Sequence, residues 1–238
     1  PAVAISTNDA DELSKLLAKQ KGLKIYVETH CEMKEDILSY NVIGEIKGSQ
    51  YPDEIITVGG HLDSWDVGEG AHDDGGGCMM SIEVGRTFID MGIKPKRTLR
   101  VVMFMNEENG LRGGTEYARV AEEKAENHVA ALESVSGSFG PMGFSSMGKE
   151  EQRKKVQGWA KYFTPYHVWS FERVGSGADI SPLESQGVFL MEMEPNPQKY
   201  FNYHHTNADT FEAVDKRELE LGAATMTSMI YLIDQEGI

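Results

Sequence analysis

Cysteine is nearly absent: Cys31 and Cys78 are the only two in 238 residues. Their spacing fits no paired-thiol metal motif, and two thiols are too few for a disulfide framework. Both are expected as buried free thiols. Basic residues are also short, with 23 Lys and Arg against 38 Asp and Glu, for a formal net charge of −15. A surface so acidic repels phosphate, which argues against nucleic acid and anionic membrane as partners. No apolar run reaches the roughly 18 residues that a membrane span needs. Internal repeats, low-complexity tracts and linkers long enough to divide a domain are missing too.

What is present is ordinary for a globule: 40% hydrophobic and 26% charged residues rule out disordered and fibrous classes. The length suffices for one large domain with a full core. Apolar spacing predicts helices over 9–20, 76–92, 111–127, 149–163 and 216–235. Strands are expected at 23–30, 39–46, 54–60, 98–106, 128–135 and 187–194. A glycine-rich loop separates the 128–135 strand from the helix after it. The alternation predicts an α/β three-layer sandwich: a mixed, mostly parallel central sheet flanked by helices. The whole chain, 1–238, reads as one domain.

One stretch stands apart. "GGHLDSWDVGEGAHDDGGG", residues 59–77, sets two histidines and five acids among glycines. His61 and Asp63 fall just past the carboxyl end of a predicted strand, where open α/β sheets bind ligands. Asp73 and Asp74 precede the 76–92 helix, with glycines that let backbone come close. The 98–106 strand leads into Glu107 and Glu108, the next reaches Glu133, and "NYHHTNADT" brings His204 and His205 before the last helix. Asp66, Glu69 and His72 are expected as solvated loop residues, and Asp74 as structural.

Imidazole and carboxylate together are zinc ligands, and a catalytic zinc keeps one place open. Two zincs roughly 3.5–4 Å apart share a bridging carboxylate, while a further carboxylate moves the proton of the attacking water. Calcium and magnesium prefer all-oxygen sites.

"GGHLDSWDVGEGAHDDGGG", "NEENGLRGG", "ALESVSGSFGP" and "YHHTNADT" occur in the order seen in the co-catalytic zinc exopeptidases. This family holds aminopeptidases, glutamate carboxypeptidase and carboxypeptidase Q, and the motifs resemble the carboxypeptidase Q group most. The resemblance covers nearly the whole chain; residues 1–20 look like the end of a protease-associated insert that is otherwise absent. It implies an exopeptidase that hydrolyses a terminal bond of a peptide or dipeptide by metal-activated water, with two Zn2+ per chain. In that pattern His61 is a ligand of the first metal and Asp63 the catalytic-site aspartate that orients it. Asp73 is the bridging carboxylate, Glu107 the general base, and Glu108 and His205 ligands of the second metal. His204 or Tyr203 is a candidate donor to the oxyanion. A homodimer and a secreted or periplasmic location are expected, the first residue being Pro1 and not Met.

One position departs from the pattern. Val135 stands where the family has an aspartate that completes the first metal's shell, so the first site is expected to be weak. If 133 and 135 share a strand face, Glu133 is the nearest substitute, with a Cα about 6–7 Å from the lost ligand's. Two alternatives follow: a single-zinc glutaminyl cyclase using Asp73, Glu108 and His205, or a non-catalytic binding relative. Substrate preference is expected to lie with the loop 174–187.

Overall fold

The computed structural model describes residues 3–238. The chain divides into two compact units, one ending at Leu38 and the other spanning Ser39–Ile238. In the first, helix α1 (Thr7–Lys19) starts where the Ser6 hydroxyl accepts the Asp9 N–H at 3.1 Å. The strand expected at 23–30 is not there, and residues 23–38 have no regular structure. Leu23, Ile25 and Val27 alternate as a strand would, but a strand also needs a neighbour for its backbone hydrogen bonds. Here Ile25 and Val27 are 63% and 51% exposed.

The second unit is a six-stranded sheet with helices on both faces. In chain order its elements are β1 (Val42–Ile46), β2 (Tyr51–His61), α2 (Gly76–Asp90), β3 (Arg97–Phe104), α3 (Arg112–Glu123), β4 (Asn127–Glu133), β5 (Pro141–Met147), α4 (Glu150–Phe163), β6 (Phe189–Pro195), α5 (Tyr200–Tyr203) and α6 (Lys216–Glu236). The strand order is β1-β3-β2-β4-β6-β5. The inner strands β3, β2, β4 and β6 run parallel, and each edge strand is antiparallel to its neighbour. The sheet is thus mixed and mostly parallel, as the alternation of elements predicts.

Strand alternation splits the core into two layers. Ile56, Val58, Leu99, Leu132 and Met191 face α2, α4 and α6, meeting Val84, Phe88, Trp159, Met226 and Ile230. Val102, Phe104, Ala131 and Leu190 face the other way, onto Tyr117, Ala118 and Ala121 of α3 and Leu183 of a 3-10 turn, Ser181–Gln186. Strand β2 is buried continuously from Ile55 to His61, as a central parallel strand must be. β5 was not expected from sequence: "PMGFSSM" lacks alternation, and the pairing with β6 supplies its order. β4 ends at Glu133, so Val135 lies beyond the strand, and the expected shared strand face of 133 and 135 is not formed.

The parallel strands β2, β3, β4 and β6 place their carboxyl ends along one edge of the sheet. His61, Glu107 with Glu108, and Glu133 all occur at or just after those ends. Among the described residues, no helix is long and apolar enough to cross a membrane.

Candidate metal centre

His61 closes β2 and is 1% exposed. Its Nδ1–H donates to the Asp63 carbonyl at 2.8 Å, which leaves Nε2 directed at Asp73 Oδ1, 3.3 Å away. A hydrogen bond from one ring nitrogen is how proteins aim the other at a metal. Asp73 and Asp74 sit in a π-helical turn, Ala71–Gly75, at the start of α2. Asp74 is structural, as expected: its carboxylate accepts the His61 N–H at 2.9 Å and the Gly77 N–H at 3.0 Å. The glycines of the motif leave no room for side chains, since a Cβ on Gly77 would lie 1.9 Å from the Ser134 carbonyl oxygen.

After β3 the chain turns at Asn106, with φ at 67°, and brings Glu107 and Glu108 to the same edge. The Asp63 carboxylate accepts both of their backbone N–H groups, at 3.0 and 3.2 Å. Asp63 therefore fixes His61 through its carbonyl and the glutamate pair through its carboxylate. His204 and His205 follow α5. His204 Nδ1 lies 2.9 Å and His205 Nε2 3.2 Å from Asp73 Oδ2, and His205 Nε2 lies 3.0 Å from Glu108 Oε2. All six residues predicted for the site, His61, Asp63, Asp73, Glu107, Glu108 and His205, are brought together.

Three imidazoles converge on one carboxylate, and the electrostatics follow from that. Burial alone would raise the Asp73 carboxyl, but the His61 hydrogen bond and the three imidazole charges hold it below the usual range. Burial lowers the His61 imidazole, yet Asp73 and Asp74 outweigh it and push it up to about 11. Burial, then the charge of Asp73, pushes Glu108 up to about 7. Burial also raises Glu107. A metal-free centre thus holds protons that a cation would displace.

The donors fit zinc. Donor atoms of Asp73, His204 and His205 lie within 4.8 Å of one another, as do those of His61, Glu107 and Glu108. Glu108 Oε1 is buried and has no partner, a polar atom that needs one. Imidazole with carboxylate is a zinc donor set.

The family model of peptidase family M28 matches residues 41–230. The chain belongs to that family. Carboxypeptidase Q of Xenopus laevis is 35% identical over 233 residues, 98% of this chain and 50% of the relative. The chain spans about half the length of the curated relatives it matches. The crystal structure of a peptidase M28 precursor from Shewanella amazonensis superposes with a TM-score of 0.79 at 34% identity, over 84% of this chain and 46% of that one. Two more distant structures share the fold. One is BSAP, a zinc aminopeptidase from Bacillus subtilis, with a TM-score of 0.67 and 21% identity over 80% and 49% of the chains. The other is a glutaminyl cyclase from an Acidobacteriales bacterium, with a TM-score of 0.65 and 19% identity over 83% and 74%.

Within this M28 chain several placements differ from expectation. His72 is not a solvated loop residue; it is 1% exposed, and its ring stacks on Phe139 at 4.3 Å. Cys31 is exposed, whereas Cys78 is buried. Glu133 is fully buried, and its carboxylate accepts the Asp179 N–H at 3.1 Å, an engagement that turns it to the 174–187 segment. Sequence reasoning missed two residues. Asp209 accepts the His72 and Asp73 N–H groups at 2.6 and 3.1 Å and so braces the turn that carries Asp73. It is the one acid of "HTNADT", and its partners are backbone amides far away in sequence. Asp179 is fully buried with both carboxylate oxygens unpartnered, and nothing in "GSGADIS" marks it.

Proposed function

We propose that the chain is the catalytic part of a zinc-dependent exopeptidase that hydrolyses a terminal bond of a peptide or dipeptide. The observation that carries this reading is the convergence of His61, His204 and His205 on the single Asp73 carboxylate, with Glu107 and Glu108 beside it. In this reading Asp73 would serve two metal positions, with His61 at the first and Glu108 and His205 at the second. Val135 has no lone pair to offer the first position, which makes it the weaker of the two. Zinc supplies Lewis acidity: it polarises a carbonyl oxygen and brings the ionisation of water near neutral pH.

The chain's own groups do the rest. Glu107 takes the proton of the attacking water and hands it to the leaving amine. A carboxyl raised by burial is better matched to that task near neutral pH than an exposed one. Asp63 keeps His61 and Glu107 in register, because one side chain and one carbonyl serve both.

Zinc-loaded protein incubated with dipeptides is the test, and release of free amino acids is the expected result. Pyroglutamate from glutaminyl peptides without amino-acid release would point to a cyclase. Neither product, with zinc bound, would point to a binding relative.

A further inference from the structure

The loop after His61 exposes apolar side chains beside the donor set: Trp65 is 43% and Val67 51% exposed. Such residues scattered singly are ordinary, but these two share one recess with Asp73, Glu108 and His205. We propose that Trp65, with Val67, is the apolar wall of a substrate subsite beside Glu108 and His205. The residue that a substrate places there carries a large apolar side chain. This deepens the exopeptidase reading and rests on it.

The indole lies against a donor. Its ring is 5.2 Å from that of His205 at an interplanar angle of 44°, and much of it stays open to solvent. An aromatic ring offers a large apolar area of fixed shape. The loop that presents it is also braced. The Glu69 N–H donates to the Asp209 carbonyl at 2.8 Å, and the Glu69 carboxylate accepts the Phe211 N–H at 2.9 Å. Gly68 runs so close to Thr206 that a Cβ there would lie 2.6 Å from its carbonyl oxygen. Charge points the same way. The carboxylates of Asp73, Glu108 and Asp209 line the recess, and among the described residues neither Lys nor Arg does. An acidic side chain is repelled there, whereas an apolar one leaves water for the indole. The 174–187 segment offers less, since Ile180 and Leu183 are buried in the core.

Amino-acid hydroxamates test the wall without turnover, because the hydroxamate holds zinc and the side chain is left to find its place. Isothermal titration of zinc-loaded protein is expected to show leucine hydroxamate binding at least about 10-fold more tightly than alanine hydroxamate, the scale on which an apolar pocket reads added methylenes. Aspartate hydroxamate should bind most weakly of the three. Trp65→Ala should bring the leucine-to-alanine ratio close to one at unchanged zinc content. Trp65→Phe, which keeps an aromatic face, should retain most of it. Val67→Ala should narrow the ratio too, which keeps the test open if Trp65→Ala fails to fold. A ratio near one in the unmodified protein overturns the proposal, as does a full ratio in Trp65→Ala or Val67→Ala. Loss of zinc from Trp65→Ala also overturns it, since the indole would then act on the metal rather than the substrate. If leucine hydroxamate wins but no peptide is cleaved, the subsite stands and the enzymatic reading falls. If dipeptides are cleaved without preference for leucine at either position, the enzymatic reading stands and the subsite falls.

Discussion

The Asp63 carboxylate accepts the Glu107 backbone N–H at 3.0 Å, across a sequence gap that spans α2 and β3. Its second oxygen takes the neighbouring Glu108 N–H at 3.2 Å. Asp63→Ala should leave two amides without their acceptor and let the glutamate pair drift. We expect zinc affinity to fall about 10–100-fold, as it does when a supporting partner is lost. Asp63→Asn, which keeps one acceptor oxygen, should fall between. Chelator competition measures both, and equal affinity in all three proteins would remove Asp63 from the support of the site.

Glu107 is half-buried, and burial raises its carboxyl. Glu107→Gln preserves size and removes the base. Peptide turnover should drop by about 10²–10⁴-fold. Zinc content, measured by elemental analysis, should stay the same. Unaltered turnover would exclude Glu107 from proton transfer, and lost zinc would make it a ligand.

Gly77 has no space for a methyl group, since its Cβ would meet the Ser134 carbonyl oxygen at 1.9 Å and Asp74 Oδ1 at 2.3 Å. A backbone atom cannot swing aside as a side chain can. Gly77→Ala should cost about 1–3 kcal/mol of stability, the usual penalty of overpacking. It should also disturb the Asp74 contact that holds His61. Urea unfolding of the zinc-free protein gives the number, and a cost near zero would mean the turn is more compliant than it looks.

Asp179 carries a pH signature. Burial, and after it the charges of Glu107 and Asp63, outweigh the opposing charge of His61 and raise the carboxyl from an ordinary 3.8 to about 7. The folded chain then keeps a proton that the unfolded chain releases, so stability must fall as pH rises through the window from 3.8 to about 7. Asp179→Asn cannot ionise, and its amide can donate to Glu133. Its melting temperature should decline less over that window than that of the unmodified zinc-free protein. Parallel curves would show that Asp179 is already ionised in the fold.

Most of the fold was legible because its signals are periodic and local. α2, α4 and α6 show helical spacing, and the central strands read as apolar runs ending in glycine or acid. What escaped depends on partners. β5 has no alternation and is ordered only by β6. The 23–30 segment has the alternation without the structure. That the candidate site residues come together was legible because glycines and acids cluster at predicted strand ends. Asp209 and Asp179 were not, since their partners lie far away in sequence. Asp209 serves His72 and Asp73, and Asp179 meets Glu133.

The donors come from four separate stretches of chain: 61–63, 73, 107–108 and 204–205. No contiguous peptide of this protein contains a usable site. A break in the exposed turn Thr164–Tyr166, after α4, would put His61, Asp73, Glu107 and Glu108 on one piece and His204 and His205 on the other. Neither piece alone would hold the cation tightly, whereas the two together would. The ion would then act as a clasp between halves, making reassembly of a nicked chain dependent on zinc.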